Sequence, residues 1–481
     1  MISTLAVLSW PFVVFWLLAN RTPATAVTWA IIGAYLLLPS NFSLELPAVP
    51  SLDKASIPAL CTVLAAAMLI KEPRLRQLAP GMILSGALPR SRAVRILLAM
   101  MVVGTVGTVL TNGNALYYGH RVLPGMRPYD LASTLGGLLF ALLPFFLGRK
   151  YLAHPEAQRS LLVGLAMAGL LYTLPALYEV RMSPQISRMI YGYFPHDWAQ
   201  HIRAGGFRPV VFLHHGLWLA IFFCCAFMAA LSMWRSGTGV MRTRWLGAAV
   251  WLFMTLVLSK GVGALGIGLL LGAVILFVPL RLQVLLAAGF AACVLVYPML
   301  RGAGLVPTDM VVRLSERVDT ERAGSLLYRL DNEDILLEKA NQRPMFGWGT
   351  WGRNRIFDAQ GQDISVTDGY WVMSIGMGGW IGYLAEFGLL TIPLIFMALR
   401  WRILELTPAT AGLALAMTAN LIDLIPNATL TPVTWLLAGA LAGRLELGRV
   451  AEKKDMPAIV LPGRISYTRQ TQRHPAGLTV R

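Results

Sequence analysis

Cysteine is scarce in this chain, and so is charge. The four cysteines, Cys61, Cys224, Cys225 and Cys293, all lie in apolar runs without CxxC or CxxH spacing. Neither a disulfide framework nor a zinc site is expected from them. Only 14% of the 481 residues are charged, against 56% hydrophobic, and the mean hydropathy is +0.61. A soluble protein of this length has no means of burying so much apolar surface, which points to an all-α polytopic membrane protein. Internal repeats and the split-helix symmetry of transporters are both missing. The first apolar run, residues 3–19, lacks a basic n-region and a small-residue cleavage site, and so reads as a retained span. No aromatic-interleaved basic patch accompanies the net charge of +17, so nucleic acid is not an expected partner.

Long apolar runs are abundant. They fall near residues 3–19, 24–40, 56–71, 93–111, 129–147, 160–178, 209–233, 244–260, 262–279, 283–300, 379–399, 408–425 and 429–443, which predicts about thirteen transmembrane helices. Lys71, Arg74, Arg76, Arg90, Arg92 and Arg95 mark loop 71–95 as cytoplasmic. Alternation then puts Arg149-Lys150, Arg235 with Arg242 and Arg244, Arg281, and Arg400 with Arg402 on the same side. Loops 112–128, 180–208 and 301–368 are exported. The resulting division is an N-terminal helix bundle at 1–300, an extracytoplasmic loop at 301–368, C-terminal helices at 369–443 and a basic cytoplasmic tail at 444–481. Pro457, Pro462 and Pro475 and the tail's polarity predict a disordered segment able to touch anionic lipid.

The exported loop 301–368 is the one long polar stretch. It carries nine Lys/Arg and eleven of the chain's 24 acidic residues, so it is slightly acidic in a basic protein. A run opening at Tyr328-Arg329 and continuing through Ile335, Leu336, Leu337 and Ala340 suggests a helix, closed by Asn341-Gln342-Arg343-Pro344. Met345-Phe346-Gly347-Trp348-Gly349-Thr350-Trp351-Gly352 follows, turn-rich and aromatic. The expectation is a partly helical cap over an outward-facing cavity, with Phe346, Trp348 and Trp351 against sugar or lipid.

Several polar residues stand at the outer ends of spans. Arg203 and Arg208 lead into His214-His215, where the choices are interfacial snorkelling or packing on one side and a ligand site on the other. Ser259-Lys260-Gly261 ends another span, where Lys260 is either an anchor or a ligand contact. Glu386 and Asp423 lie within apolar segments. A carboxylate there needs a partner or a wet cavity, and Glu386 could equally pin a helix contact.

In order and spacing, Arg329, then Arg343-Pro344-Met345-Phe346-Gly347-Trp348-Gly349, then Glu386-Phe387-Gly388, resembles the signature of the O-antigen ligase and polymerase superfamily. Ser259-Lys260-Gly261 is similar to that family's Ser-Arg-Gly, and residues 203–215 to its arginine-containing segment before a span. The resemblance implies a glycosyltransferase without cofactor or metal, inverting at the sugar, at the outer face of the bacterial cytoplasmic membrane. Its donor would be a polyprenyl-diphosphate-linked oligosaccharide. Arg203, Arg208, Lys260, Arg329 and Arg343 would bind the diphosphate, arginine's planar fork suiting phosphate oxygens. Trp348, Trp351 and Tyr370 would contact substrate, and Glu386 is carried over as a catalytic candidate.

One departure from the family matters. Its ligases place a histidine where this chain has Thr367-Asp368-Gly369-Tyr370-Trp371. Asp368, or else His214 or His215, is left as the general base, although Asp368 would also cap a helix starting near Tyr370. The departure favours a polysaccharide polymerase. A ligase attaching glycan to lipid or protein is the alternative, and a transporter of lipid-linked sugar is a third reading. Membrane lipid and a chain-length regulator or export machinery are the other expected partners.

Overall fold

A computed structural model of the chain describes residues 2–45, 49–70, 82–203, 205–316 and 320–448. They belong to one compact unit, Met1–Val450. Stretch 71–81 of the expected cytoplasmic loop, and the tail beyond 448, lie outside the described residues.

The described residues are mostly helical. The first seven helices are α1 Ile2–Asn20, α2 Pro23–Leu37, α3 Ser56–Leu69, α4 Arg92–Thr111, α5 Asp130–Tyr151, α6 Pro155–Met182 and α7 Ile186–Tyr191. Then come α8 Gly216–Ser236, α9 Gly239–Leu258, α10 Val262–Phe277, α11 Leu280–Gly302, α12 Thr308–Glu316 and α13 Thr320–Asn341. The last are α14 Tyr370–Leu399, α15 Trp401–Leu404, α16 Pro408–Asp423 and α17 Pro432–Leu447. Three two-stranded antiparallel hairpins punctuate the loops: Ser43–Leu44 with Leu52–Asp53, Leu116–Tyr118 with Arg121–Leu123, and Ile202–Arg203 with Gly206–Phe207.

A helix stands at each of the thirteen apolar runs. Eight of them, α1, α4, α5, α6, α8, α9, α11 and α14, are long and apolar enough to cross a membrane. The apolar α2, α3 and α10 have 15, 14 and 16 residues, short of the roughly 20 that a bilayer core requires. The centre of the bundle is α8, buried along nearly its whole length and packed against α6, α9, α10 and α16. Helices α2, α16 and α17 each open on Thr-Pro. Thr22, Thr407 and Thr431 accept the amides of Thr25, Thr410 and Thr434, and the following proline occupies a first-turn position that has no amide bond to lose.

The segment after the polar loop is a broken helix. In α14, Gly379 adopts φ 66° and ψ −172°, a conformation open to glycine alone. The break strands backbone groups that hydrocarbon cannot satisfy, and residues 344–349 of the loop supply their partners. The amides of Trp380 and Ile381 donate to the carbonyls of Pro344 and Met345 at 2.7 and 3.3 Å. In return, the amides of Trp348 and Gly349 donate to the carbonyls of Gly376 and Met377 at 2.8 and 3.0 Å. Two glycines make the approach feasible. A Cβ on Gly379 would lie 2.4 Å from the Met345 backbone, and one on Gly347 (φ 66°) 2.5 Å from the Gly379 nitrogen. The end of α4 holds the inserted segment from its other side: Thr108 donates to the Phe346 carbonyl at 2.6 Å and Asn112 to the Gly347 carbonyl at 3.0 Å.

Far from this insertion, Arg149 at the end of α5 forms a fully buried ion pair with Glu446 of α17 at 2.7 Å. Its remaining donors reach the carbonyls of Gly86 and Ala87.

The insertion sets the first test. Gly379→Ala and Gly347→Ala each combine a left-handed conformation costing about 1–2 kcal/mol with a backbone clash, and both should lower the melting temperature of the purified protein. Gly378→Ala has open space around its Cβ and should be neutral, or stabilising by up to about 1 kcal/mol. Equal melting temperatures for all three variants would refute the role given to the insertion.

Candidate functional site

The stretch leading into α8 is built around one carboxylate. Glu179, buried in α6, accepts the amides of Val210 and Val211 on Oε2, both at 2.7 Å, and that of Ile186 on Oε1 at 2.9 Å. Val211 stands at φ 56°, an outlier for a β-branched residue. It persists because its neighbours over-determine the segment. The Phe212 amide donates to the Tyr172 hydroxyl at 3.2 Å, and its carbonyl accepts Lys54 Nζ at 3.1 Å. His214 and His215 follow at once. His215 caps α8, its Nδ1 accepting the Leu217 amide at 3.1 Å.

These residues border a cavity of about 660 Å³. His196, His214 and His215 line it, joined by Lys54 from the α2–α3 connection and by Arg329 and Asp368 from segment 301–368. Arg329, on α13, and Asp368, just before α14, form an ion pair at 3.0 Å, each about one-third exposed (38% and 33%). Asn332 arranges this meeting: one turn on from Arg329, it accepts the Val366 amide at 3.0 Å. Arg301 anchors α13 to the end of α11 through Asp334 at 2.8 Å. Asn427 and Thr429 also face the cavity, and both donate to buried Asp423, at 2.9 and 2.6 Å.

The cavity's lining carries charge of both signs, Lys54, Arg329 and Arg355 against Asp53 and Asp368. Burial lowers the Arg208 guanidinium to about 10, with the charges of Arg203 and Arg329 adding to the effect. Burial also pulls the Lys54 ammonium down to about 7, opposed by Asp53. His215 falls to about 3 through burial and then through His201, His196, Arg208 and His214. His214 is lowered as well, by burial first. These imidazoles are therefore neutral near pH 7, and the positive field comes from arginine and, below about pH 7, from Lys54. On α13, burial raises the Glu333 carboxyl to about 7, reinforced by Asp334 and Asp368 and opposed by Arg301. A guanidinium paired with a carboxylate at the cavity wall suits an anionic group with a proton acceptor beside it.

Four of the sequence candidates border the cavity: His214, His215, Arg329 and Asp368. A second group is linked together close by. Arg208 donates to the Lys260 carbonyl at 3.3 Å, and Lys260 Nζ donates to the Arg203 carbonyl at 2.7 Å, so Lys260 latches the 202–207 hairpin to the end of α9. The others stand apart from the cavity walls. Arg343 donates to Asn112 and Thr111 and stacks over Trp348 at 4.3 Å. Trp348 in turn donates to the Lys339 carbonyl at 2.8 Å, and Trp351 is exposed. Both oxygens of Glu386 are engaged, by Tyr370 at 2.8 Å and Ser374 at 2.6 Å. Glu386 thus joins the two halves of broken α14, the helix-pinning role. Asp368 does not cap that helix: its N-cap is Gly369, without a side-chain bond.

Sequence reading missed Lys54, His196, His201 and Glu333. A signal existed for the histidines, since four of the chain's seven fall between 196 and 215. Lys54 carried none.

Lys54 gives this site a pH test. Its ammonium is protonated below about pH 7, so binding of inorganic pyrophosphate to the purified protein should weaken as pH rises through 7. Losing one charge-assisted contact of about 1.5 kcal/mol corresponds to roughly ten-fold in affinity. Lys54→Arg should hold the low-pH affinity across the range and Lys54→Met the weaker one. A wild-type profile identical to that of Lys54→Arg would remove Lys54 from the site.

No family model matches the chain, and no curated protein matches it.

Proposed function

We propose that this chain is a polysaccharide polymerase: a membrane glycosyltransferase joining polyprenyl-diphosphate-linked oligosaccharide repeat units at the outer face of the bacterial cytoplasmic membrane. The reading takes the thirteen helices as spans and segment 301–368 as the extracytoplasmic cap. The observation that carries it is the Arg329–Asp368 pair at the wall of the cavity. That pair sets a diphosphate-binding guanidinium beside a carboxylate able to take a proton from a sugar hydroxyl.

The step balances with these residues alone. Asp368 accepts the acceptor hydroxyl's proton as its oxygen bonds to the donor's anomeric carbon, on the face opposite the diphosphate. The carbon–oxygen bond to the diphosphate breaks, and polyprenyl diphosphate leaves with the electron pair, its charge met by Arg329 and Lys54. A base is needed only if it reaches the hydroxyl, so Asp368 must exchange part of its contact with Arg329 for the acceptor once a phosphate engages that arginine. In the sequence, the lack of a histidine at 367–371, where the family's ligases carry one, favours polymerisation over ligation. Chain-length regulation and export would be tasks of partner proteins.

Asp368→Asn keeps size and hydrogen bonding but loses the base, and should abolish polymer while the protein stays folded and inserted. Arg329→Ala should cut activity about ten-fold or more, from a lost phosphate contact of about 1.5–3 kcal/mol, with Arg329→Lys restoring only part. Mass analysis of lipid-linked glycans in a strain lacking the chain reads out the activity. Accumulated single repeat units indicate a polymerase, and accumulated long chains indicate a ligase. Near-normal polymer from Asp368→Asn would hand the base role to His214 or His215.

A further inference from the structure

Three histidines beside the cavity form a constellation that the glycosyl-transfer chemistry leaves unused. His196 precedes the short 3₁₀ turn Trp198–His201, His201 ends it, and His215 caps α8. A ring nitrogen from each lies within 4.8 Å of the others. The ring centroids are 4.8 Å apart for His196–His215, 4.8 Å for His201–His215 and 6.0 Å for His196–His201. His214 lies outside the group, its ring 6.4 Å from His196 and 5.7 Å from Trp218.

His201 is the telling member. It is 0% exposed, and neither of its ring nitrogens has a hydrogen-bond partner among the described residues. A buried imidazole in that condition forfeits the full cost of desolvating both nitrogens. Packing against Phe194 at 5.5 Å accounts for the ring's faces and edges but not for its lone pair. A lone pair directed among two other imidazoles is what a transition-metal ion accepts.

We propose that His196, His201 and His215 hold one divalent transition-metal ion of the zinc type, and that this ion fastens segment 196–208 to the start of α8. Imidazole suits zinc, copper and nickel rather than magnesium or calcium, and three imidazoles leave a fourth position for water or an anion. His196 and His215 border the cavity, so that position faces its side of the site. Coordination by His215 competes with the Leu217 amide for its ring, exchanging one cap bond for a metal bond. The role is positional: the clamped segment carries Arg203 and Arg208, and the ion supplies no step of the reaction proposed above. The cysteine spacing spoke only against thiolate sites; this one is wholly imidazole.

The test uses the full-length protein in detergent, stripped with a chelator, refilled with ZnCl₂ and desalted. Bound zinc should be about one per chain, with a rise in melting temperature. His201→Phe keeps a ring in the buried space, and His196→Ala alters a loop outside the helices. Each should weaken zinc binding about 100-fold or more, while His120→Ala, in a separate hairpin, should retain it. No zinc above background in the wild type, or the same zinc content in both variants, would overturn the site. The readouts are metal content and melting temperature, so failure here is distinct from failure of the polymerase reading.

Discussion

Hydrocarbon does not forgive an open backbone hydrogen bond, and a helix broken inside an apolar bundle opens several at once. In α14 the break at Gly379 is closed by four reciprocal bonds from residues 344–349. Much of the site's geometry depends on that closure. The inserted segment is tethered to α4 through Thr108 and Asn112. At its start it follows directly on α13, which carries Arg329, and beyond it the chain returns to α14 through Asp368. The polar stretch is therefore pinned at its middle, and Arg329 and Asp368 lie on either flank of the pin. Arg343, Trp348 and Glu386 serve the same joint: the first two brace the inserted segment, and the third bonds across the break.

A second constraint acts on the other side of the cavity. Glu179 gathers three amides, and in doing so stabilises Val211 in a conformation that a β-branched residue adopts only under compulsion. The strain is stored immediately before His214 and His215. Lys54 adds a bond from a third region of the chain. The cavity is thus framed by segments with little regular structure of their own, each locked by a buried polar group. Such locks are expensive in an apolar interior unless every partner is present, which gives these segments one arrangement rather than many.

Charge follows the same logic. The Arg149–Glu446 pair is fully buried and its guanidinium fully used; it ties α5 to α17 well away from the cavity. Around the cavity the cations stand beside carboxylates, Lys54 next to Asp53, Arg329 on Asp368 and Arg355 on Asp363, and the Arg329–Asp368 pair is only about one-third exposed.

Composition and periodicity alone determined the class, the positions of thirteen apolar helices and the end of α13 at Asn341, because hydrocarbon burial and the proline at 344 act locally. Arg329 and Asp368 were legible as candidates, but their pairing at the cavity wall was not. The helix break was not. Gly376-Met377-Gly378-Gly379 reads as part of a Gly-rich apolar segment, and only the partner backbone from 344–349 makes an interruption at Gly379 affordable. Arg343 and Trp348 read as ligand contacts, and in the structure they brace the inserted segment, which an arginine before Pro344-Met345-Phe346-Gly347 does not announce. Lys54 and His201 were silent for a further reason. What distinguishes Lys54 is a carbonyl 158 residues away, and what distinguishes His201 is that its nitrogens have no partner among the described residues. Neighbours so distant in the chain, or missing altogether, exist only once the tertiary fold has decided what each side chain meets.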